Sequence, residues 1–466
     1  MSDPSITILG GGVAGLSVAL LLARGGSTVT VLERDRLDVG VPEDAPDWAR
    51  KGIPHFLQPH AFIPRGRAEL LERLPDVYYA LIAAGAHDVD VRGKLPGPPR
   101  DEDQLLQYLA VRRPVIEWAL RRAVVAEPRI DVRSGVRVDG IGVERGRVRA
   151  VHVGGSELSA DLVVDALGRR TPVWDWLADA GVERAAAEVS ECGVVYYSRY
   201  YRQRDGFDLP DGPWFLSPRG DLGYLGFATF PGDNRTFAAL LAVPSGVSEW
   251  RGFASAATFE AAVAQIPGLA QWVDPRGVDP ITGVLPMAGL RNTLNPAYPP
   301  GAGIVAVGDA YCHTDPVLAH GLAFALIHAN ALATALQEHA EPVDALAAYA
   351  TATTQEVGER YRLATALDAQ RHRMWLGEPV DFVHRGGDYA LFTMVAAAAA
   401  AATDADIARV FGRRIGLLDS TNVLDSDTAM QMRIEAIFTG MLASPRTPPG
   451  PPKAQMLAIA QGSVPV

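Results

Sequence analysis

The sequence predicts a doubly wound α/β (Rossmann-like) domain with an inserted antiparallel β-sheet domain and a helical C-terminal region. Three observations favour this fold class. The first 33 residues contain a strand, a glycine turn, a helix and a second strand, which together form a βαβ unit. Strand-like runs rich in aromatic residues lie between Cys192 and Val243, and the chain after Asp344 is alanine-rich with mostly helical patterns.

Composition excludes several classes of protein. The chain has 466 residues, of which 48% are hydrophobic and 21% charged, so it can bury a full core and is not wholly disordered. Its net charge of −11 argues against broad binding to nucleic acid or to an anionic membrane. No apolar run has transmembrane length, and residues 1–5 lack the basic start of a signal peptide. We therefore expect a cytoplasmic protein with no membrane span.

The predicted elements follow in chain order. The βαβ unit comprises strands over residues 6–9 and 28–32, joined by a helix that ends near Arg24. A long loop over residues 38–64 follows, then helices over 65–84 and 114–126 and strands over 130–138, 148–153 and 162–165. Strands over 194–201, 223–230 and 236–243 form the inserted sheet, before a buried strand at 304–307 and a helix over 320–336.

These patterns suggest a division into four segments. Residues 1–185 and 281–345 form the two parts of the dinucleotide-binding domain. Residues 186–280 form a substrate domain that is mostly antiparallel sheet. Residues 346–466 form the helical C-terminal region with a Pro-rich tail, which begins at Ser444.

The strongest motif is a Gly-x-Gly-x-x-Gly turn between the first strand and the first helix. Gly10 allows the tight turn, Gly12 lets the backbone approach a pyrophosphate, and Gly15 lets helix and strand pack closely. Glu33 ends the second strand, where an acid binds a ribose hydroxyl. In this full βαβ context the motif predicts dinucleotide binding rather than a plain glycine turn.

A second motif lies about 300 residues later, at the end of the buried strand 304–307. Gly308-Asp309 ends this strand, and a loop through Pro316 then leads to a helix that contains Gly321. The Asp309 carboxylate can accept hydrogen bonds from ribityl hydroxyls, and the helix N-terminus can face an electron-rich ring. Alone, a Gly-Asp pair is as typical of an ordinary turn or helix cap.

In these motifs the chain resembles FAD-dependent monooxygenases of the para-hydroxybenzoate hydroxylase type and their squalene-epoxidase-like and halogenase-related branches. Asp165-Ala-Leu-Gly168-Arg169 is similar to the family's middle Asp-Gly motif, and the helix start at Arg113 is similar to its FAD-contacting arginine. The resemblance covers roughly residues 1–345. It implies an FAD-binding set that consists of Gly10, Gly12, Gly15, Glu33, Arg34, Arg113, Asp165, Gly308, Asp309, Pro316 and Gly321.

The chain departs from the family pattern in three places. In the middle motif, Ala166-Leu167 separates Asp165 from Gly168, where the family has a direct Asp-Gly. The family commonly has Pro-x-x-Gly-x-Gly before its flavin helix, and we place the first of these glycines at Leu318. The loop that contains His55, Gln58 and His60 lacks an arginine that relatives often have.

Candidate residues for catalysis and substrate binding follow from their positions. His313 and His320 flank the flavin loop and are candidate catalytic residues, although a lone histidine is more often a packing residue. Strand alternation places Tyr197, Arg199 and Tyr201 on one face, which we expect, with His60, to line a substrate pocket. Ordinary aromatic sheet packing is an equal alternative for this face.

The resemblance implies an enzyme that inserts one oxygen of O2 into a small organic substrate, by hydroxylation or epoxidation, through a flavin C4a-hydroperoxide. It permits NADH or NADPH as a transient electron donor, or reduced flavin from a partner reductase. A flavin-dependent halogenase, an FAD-dependent reductase and a non-catalytic dinucleotide-binding protein remain alternatives. A halogenase would use a lysine between flavin and substrate, and Lys51 and Lys94 are the candidates outside the tail. Two cysteines and ten histidines without zinc spacing predict no metal.

Overall fold

A parallel β-sheet carries the first and last sequence motifs at the carboxyl ends of its strands. The computed structural model of the protein describes residues 5–36, 39–48, 50–210, 218–443 and 450–463. The start of the predicted 38–64 loop, the first residues of the predicted Pro-rich tail and most of the N-terminal segment considered as a signal peptide lie outside these ranges.

The strands lie in the following order along the chain. They are β1 Ser5–Leu9, β2 Thr28–Glu33, β3 His87–Val89, β4 Tyr108–Ala110, β5 Ile130–Ser134, β6 Val138–Glu144, β7 Arg147–Val153, β8 Ser156–Ser159, β9 Leu162–Asp165, β10 Glu188–Glu191, β11 Val194–Gln203, β12 Arg219–Asp221, β13 Gly226–Pro231, β14 Thr236–Pro244, β15 Val278–Pro280, β16 Leu285–Met287, β17 Arg291–Leu294, β18 Ile304–Ala306 and β19 Cys312–His313.

The helices lie in the following order. They are α1 Val13–Arg24, α2 Pro64–Arg73, α3 Pro75–Ala83, α4 Arg113–Ala126, α5 Val173–Asp179, α6 Ala256–Ala264, α7 Pro267–Ala270, α8 His320–Glu338, α9 Pro342–Leu376, α10 Tyr389–Leu391, α11 Ala397–Ala401, α12 Ala405–Ile415, α13 Thr428–Leu442 and α14 Lys453–Ala460. A π-helical segment, Phe392–Ala396, joins α10 to α11.

The parallel sheet has the strand order β18-β9-β1-β2-β5. The strands β18, β9 and β1 are almost wholly buried, as expected of a parallel sheet covered on both sides, whereas the edge strand β5 is partly exposed. Side chains alternate between two cores: Ile8 packs with residues of α1, α4 and α8, whereas Leu9 packs with the opposite core. The doubly wound α/β prediction is confirmed.

The antiparallel sheet has the order β12-β13-β14-β11-β15, and β16 also pairs with β11. Its central strand β14 is buried along its whole length. Tyr197 pairs with Leu241 and Tyr201 with Phe237, so these four side chains share one face. The predicted inserted sheet is therefore present, while the exact domain limits at 185, 280 and 345 remain a proposal.

Two predicted elements differ in the structure because of local backbone chemistry. The helix predicted over 65–84 is two helices, since Pro75 starts α3 and Leu74 adopts a non-helical conformation. The strand predicted over 130–138 is divided into β5 and β6, since Gly135 turns the chain with φ +72°.

The C-terminal region is helical, as predicted. The 35-residue helix α9 packs along α8. Its residues Tyr361 and Trp375 belong to the same hydrophobic core as the inner face of the antiparallel sheet. An unbroken run of alanines over residues 396–402 includes the packed helix α11, in which Ala397, Ala400 and Ala401 are buried. In the part of the chain that the structure describes, no helix combines the length and apolarity needed to cross a membrane.

Candidate cofactor-binding and active site

A cleft of about 750 Å³ lies where the strands of the parallel sheet end. The segments that follow β1, β2, β9 and β18 all contribute to its lining. This is the expected position, because the carboxyl ends of parallel strands meet at one edge and their loops form the ligand crevice. The three sequence motifs therefore meet in one place.

The Gly-rich turn has the geometry that a pyrophosphate requires. Gly10 has φ +106°, and a Cβ there would lie 2.5 Å from the carbonyl oxygen of Ala166. A Cβ on Gly15 would lie 2.0 Å from the carbonyl oxygen of Gly10, so that glycine serves packing. A Cβ on Gly12 would meet no described atom within 4 Å, and the residue lines the cleft. Gly12 is also the N-cap of α1, so the first-turn N–H groups face this opening.

Glu33 lies at the same end of the cleft and is held in place by its neighbours. Its Oε2 accepts a hydrogen bond from the backbone N–H of Gly11 at 2.8 Å, and Nη1 of Arg50 lies 3.2 Å from its Oε1. Nε of Arg50 also donates to Glu117 at 3.0 Å. Arg50 lies within the predicted loop over residues 38–64, before His55, so this loop does contain an arginine, which sequence reasoning overlooked. Arg34 lines the cleft beside Glu33.

Asp165 requires a correction, because its carboxylate does not line the cleft. The side chain is fully buried, and its Oδ1 accepts from the backbone N–H of Leu167 at 3.0 Å. Its Oδ2 accepts from the hydroxyls of Thr171 and Tyr298, both at 2.7 Å. Asp165 therefore holds the 166–170 segment, whose own residues line the cleft.

The Gly308-Asp309 motif forms a tight turn directly after β18. Gly308 has φ +58°, and its buried N–H donates to Nδ1 of His328 at 2.9 Å. Burial lowers the pKa of His328 to about 3, so the ring is neutral and can accept this bond. Asp309 faces the cleft, where its Oδ2 lies 4.0 Å from Nη2 of Arg169.

The Pro316–Gly321 turn brings a second helix N-terminus to the cleft. Pro316, Ala319 and Gly321 line the cleft, and α8 begins at His320. Ala319 has φ +56°, the left-handed conformation that favours glycine. The family's first glycine therefore corresponds to Ala319, and our placement of it at Leu318 was wrong.

The two candidate catalytic histidines lie in different environments. His313 lines the cleft, and its Nδ1 donates to the carbonyl oxygen of Asp309 at 3.2 Å. His320 is not among the described residues that line the cleft. It is buried against Phe324, with ring centroids 5.2 Å apart, because the buried face of α8 directs it into the core. Burial, Arg360 and Arg414 lower its pKa to about 3. His320 is therefore corrected to a core residue.

Two further histidines line the cleft. His60, predicted from the sequence, donates from Nδ1 to the carbonyl oxygen of Gln58 at 2.7 Å, and burial lowers its pKa to about 3. His55, which we had not selected, contacts Arg113 at 2.8 Å and Arg169 at 3.1 Å. The predicted Arg113 thus lines the cleft beside these rings.

The face chosen for the substrate pocket also requires a correction. Tyr197 packs on Phe253, and both Arg199 Nη1 and the Tyr201 hydroxyl bond Oε1 of Glu260 at 2.6 Å. This face packs on α6 and α7 residues on the side of the sheet away from the cleft. The alternation of side chains along β11 separated the two faces correctly, but it does not indicate which face lies towards the cleft.

The inner face of the sheet instead carries Tyr196, Ser198 and Tyr200. Oγ of Ser198 donates to Gln58 in the cleft loop at 3.0 Å. Phe230 of β13 lines the cleft, as do His60 and Phe324. The sheet therefore reaches the cleft through a residue that sequence reasoning overlooked.

The residues present fit an FAD better than a metal. No group of three or more His, Cys, Asp or Glu side chains within the described ranges can hold a metal ion. By contrast, two helix N-termini, an open Gly12 and a positioned Glu33 share one long cleft. Such a cleft offers free N–H groups to phosphates and an acid to a ribose.

The fold and the residues that line this cleft are similar to those of FAD-dependent oxidoreductases. Residues 5–127 match the family model described as FAD dependent oxidoreductase. The resemblance to FAD-dependent monooxygenases that the three motifs predicted is confirmed. The chain is 28% identical over 454 residues to Protein Rv3254 of Mycobacterium tuberculosis, with 90% of each chain covered. It is 32% identical over 186 residues to 6-methylpretetramide 4-monooxygenase of Streptomyces rimosus, over 36% of this chain and 39% of that protein.

Solved structures share the fold at low sequence identity. PqsL, a probable FAD-dependent monooxygenase from Pseudomonas aeruginosa, aligns with a TM-score of 0.57 at 16% identity, over 81% of this chain and 99% of that one. The flavin-dependent brominase Bmp2 aligns with a TM-score of 0.60 at 15% identity, over 95% and 98%. At these identities the likeness concerns the fold alone.

Proposed function

We propose that this protein is an FAD-dependent monooxygenase that inserts one oxygen atom of O2 into a small organic substrate by hydroxylation or epoxidation. The observation that carries the proposal is a single cleft with two different ends. Gly12 and Glu33 follow β1 and β2 at one end, which we call the Glu33 end, and the segment after β18 brings the N-terminus of α8 to the other end. The aromatic residues Phe230 and Phe324 also line the cleft, and we assign them to this second end.

The chain's residues divide the work along this cleft. Gly12 and the α1 N-terminus would hold the pyrophosphate, Glu33 a ribose, and Asp309 the ribityl chain. The turn from Pro316 to Gly321 would face the flavin ring. When bound, FAD supplies the redox and oxygen-activating chemistry, and the protein supplies binding, orientation and exclusion of water.

His60 and His313 are the candidate groups for handling a substrate proton. Each ring donates from Nδ1 to a backbone carbonyl, so each neutral ring keeps Nε2 as an acceptor. Such an acceptor can orient a substrate hydroxyl. Burial lowers the pKa of both rings, so both stay neutral near pH 7.

A halogenase is the second candidate, because the fold is shared with the brominase Bmp2. Of the lysines in the described residues, Lys51 lines the cleft and Lys94 does not. Lys51 precedes Gly52, whose N–H lies 3.4 Å from Oδ2 of Asp35, just after β2. It therefore lies next to Asp35, at the end of β2 that carries Glu33. This position favours oxygenation over halogenation.

The first experiment is the absorption spectrum of the purified protein under anaerobic conditions, before and after NADH or NADPH is added. We expect a flavin spectrum that bleaches with one of the nicotinamides or, if a partner reductase supplies reduced flavin, only with dithionite. Absence of flavin after reconstitution with FAD, or flavin that dithionite does not reduce, would favour a non-catalytic dinucleotide-binding protein.

A second experiment separates oxygenation from halogenation once a substrate is found. Reduced flavin, bromide and ¹⁸O₂ are supplied together, and the product is analysed by mass spectrometry. Oxygenation predicts ¹⁸O in the product and activity that survives Lys51→Met. A brominated product that Lys51→Met abolishes would overturn the proposal.

A further inference from the structure

A closed cluster of polar side chains lies directly behind the Pro316 turn. Its members are Tyr196, Asn292, Asp315, Asp368 and Arg371. The Asp315 carboxylate is its centre: Oδ1 accepts from the Tyr196 hydroxyl and Oδ2 accepts from Nη2 of Arg371, both at 2.5 Å. Asp315 is 1% exposed and Arg371 is 5% exposed, so both bonds are shielded from water.

The remaining hydrogen bonds close the cluster. Nη2 of Arg371 also donates to Oδ1 of Asp368 at 2.9 Å, and Nδ2 of Asn292 donates to the other oxygen of Asp368 at 2.7 Å. The Asn292 carbonyl oxygen accepts from the backbone N–H of Asp315 at 2.6 Å. One asparagine side chain therefore joins the two acidic residues.

The charges of the cluster balance. Despite its burial, the pKa of Asp315 is lowered by the guanidinium of Arg371. Burial and the neighbouring Asp315 carboxylate raise the pKa of Asp368 to about 9. At pH 7 the cluster thus holds one carboxylate, one guanidinium and one neutral carboxyl group. Such a compensated, fully bonded cluster is rigid, whereas removal of one partner leaves an uncompensated buried charge.

The cluster connects three separate parts of the chain to the cleft. Tyr196 lies on β11, Arg371 and Asp368 lie on α9, and Asp315 directly precedes Pro316. Oδ1 of Asp315 also lies 3.3 Å from the backbone N–H of Val317 and caps the turn. Of these, Asp315 alone is among the described residues that line the cleft, so the others act through it.

We propose that Asp315, Tyr196 and Arg371 are positioning residues for the ring end of the flavin. They hold the turn that starts at Pro316. Because this turn leads directly into α8, it determines where the N-terminus of α8 lies in the cleft. The antiparallel sheet and the long helix α9 thereby set the shape of the ring site, although neither Tyr196 nor Arg371 touches it. The inference rests on the proposed function, since it assigns the flavin ring to this end.

The test compares FAD with ADP, which keeps the adenosine and the two phosphates but lacks the ribityl chain and the flavin ring. The apoprotein and its Asp315→Asn and Tyr196→Phe variants are titrated with FAD and with ADP, which lacks the flavin. We expect dissociation constants for FAD that rise about tenfold, as for the loss of one charge-assisted hydrogen bond, and unchanged constants for ADP. Fluorescence of the bound flavin should also rise, because a looser turn leaves the ring more mobile.

Arg373→Met is the matched control on the same helix. Arg373 pairs with Asp388 at 2.9 Å, but its side chain is 44% exposed and is not among the described residues that line the cleft. We expect its FAD and ADP constants to equal those of the parent protein. If Asp315→Asn does not fold, Tyr196→Phe, which loses one oxygen atom, decides the outcome.

Two results would overturn the inference. If the folded variants bind FAD with the same dissociation constants as the parent protein, the cluster does not position the flavin ring. Equal weakening of FAD and ADP would show a general structural role. A parent protein that binds no FAD would instead remove the proposed function, and the two failures are thus distinguishable.

Discussion

Nη1 of Arg113 lies 2.8 Å from Nε2 of His55. A second guanidinium, that of Arg169, lies 3.1 Å from Nδ1 of the same ring. A neutral imidazole has one acceptor nitrogen, so only one of these contacts is a complete hydrogen bond. Burial and both guanidinium groups hold the pKa of His55 well below its usual range. Both guanidinium groups line the cleft, so they place positive charge beside this neutral ring.

This arrangement predicts a loss of stability in acid. Below about pH 6.5 the unfolded chain protonates His55, whereas the folded site does not. The unfolded state then binds more protons, so the free energy of unfolding falls between pH 7 and pH 5, by about 2 kcal/mol for one such histidine. His55→Gln should reduce this fall by that amount in urea unfolding at both pH values. The control is His152→Gln, at a side chain that is 44% exposed, and an identical pH dependence in His55→Gln and the parent protein would contradict the prediction.

Gly12 and Gly15 should respond to substitution in opposite ways. Gly12→Val adds atoms to open space in the cleft, so the protein should fold normally and lose FAD binding by at least tenfold. Gly15→Val would place a Cβ 2.0 Å from the carbonyl oxygen of Gly10, so the protein should lose several kcal/mol of stability. Thermal unfolding of the apoprotein and FAD titration separate the two effects. A folded Gly12→Val protein with full flavin content would rule out pyrophosphate binding there.

Asp165 should matter for the loop it holds rather than for direct contact with FAD. Asp165→Ala leaves the hydroxyls of Thr171 and Tyr298 and one backbone N–H without their acceptor. We expect a loss of about 3 kcal/mol in unfolding free energy and weaker FAD binding. Asp165→Asn keeps the shape and should lose less of both. Equal stability of the alanine variant and the parent protein in denaturant titrations would refute this role.

Ala319→Gly should stabilise the protein. The left-handed conformation at φ +56° costs a residue with a Cβ about 1–2 kcal/mol, whereas glycine adopts it freely. Glycine also gains entropy in the unfolded chain, so we expect a net gain of about 0.5–1 kcal/mol. Ala352→Gly, on the exposed side of α9, should instead cost about 1 kcal/mol. A lower melting temperature for Ala319→Gly than for the parent protein would contradict the assignment.

The sequence predicted the fold class and the meeting of the motifs, because hydrophobic periodicity and glycine spacing are local signals. It did not predict which face of β11 turns towards the cleft. Tyr196 and Tyr197 are chemically alike, and their roles depend on what packs opposite each face: Asp315 for one and Phe253 for the other.

Other features depended on contacts between distant residues. Arg50 lies in the predicted 38–64 loop without a recognisable motif, yet it bonds Glu117, which is 67 positions away. His328 lies in an ordinary helical pattern, and only the fold brings it to the N–H of Gly308. Asp165 was recognised by its motif, but burial and three donors give it a supporting position instead of a contact with the cleft.

The strand order of the parallel sheet has a consequence for biosynthesis. β18 begins at Ile304, yet it pairs with β9, which ends at Asp165, and the whole antiparallel sheet is made in between. A chain emerging from the ribosome can complete the half of the cleft around Gly12 long before the Asp309 half exists. Pairings over such sequence separations form slowly and leave strand edges open for that time. Flavin supply and a low growth temperature during expression should therefore affect the yield of folded protein more than they affect its final stability.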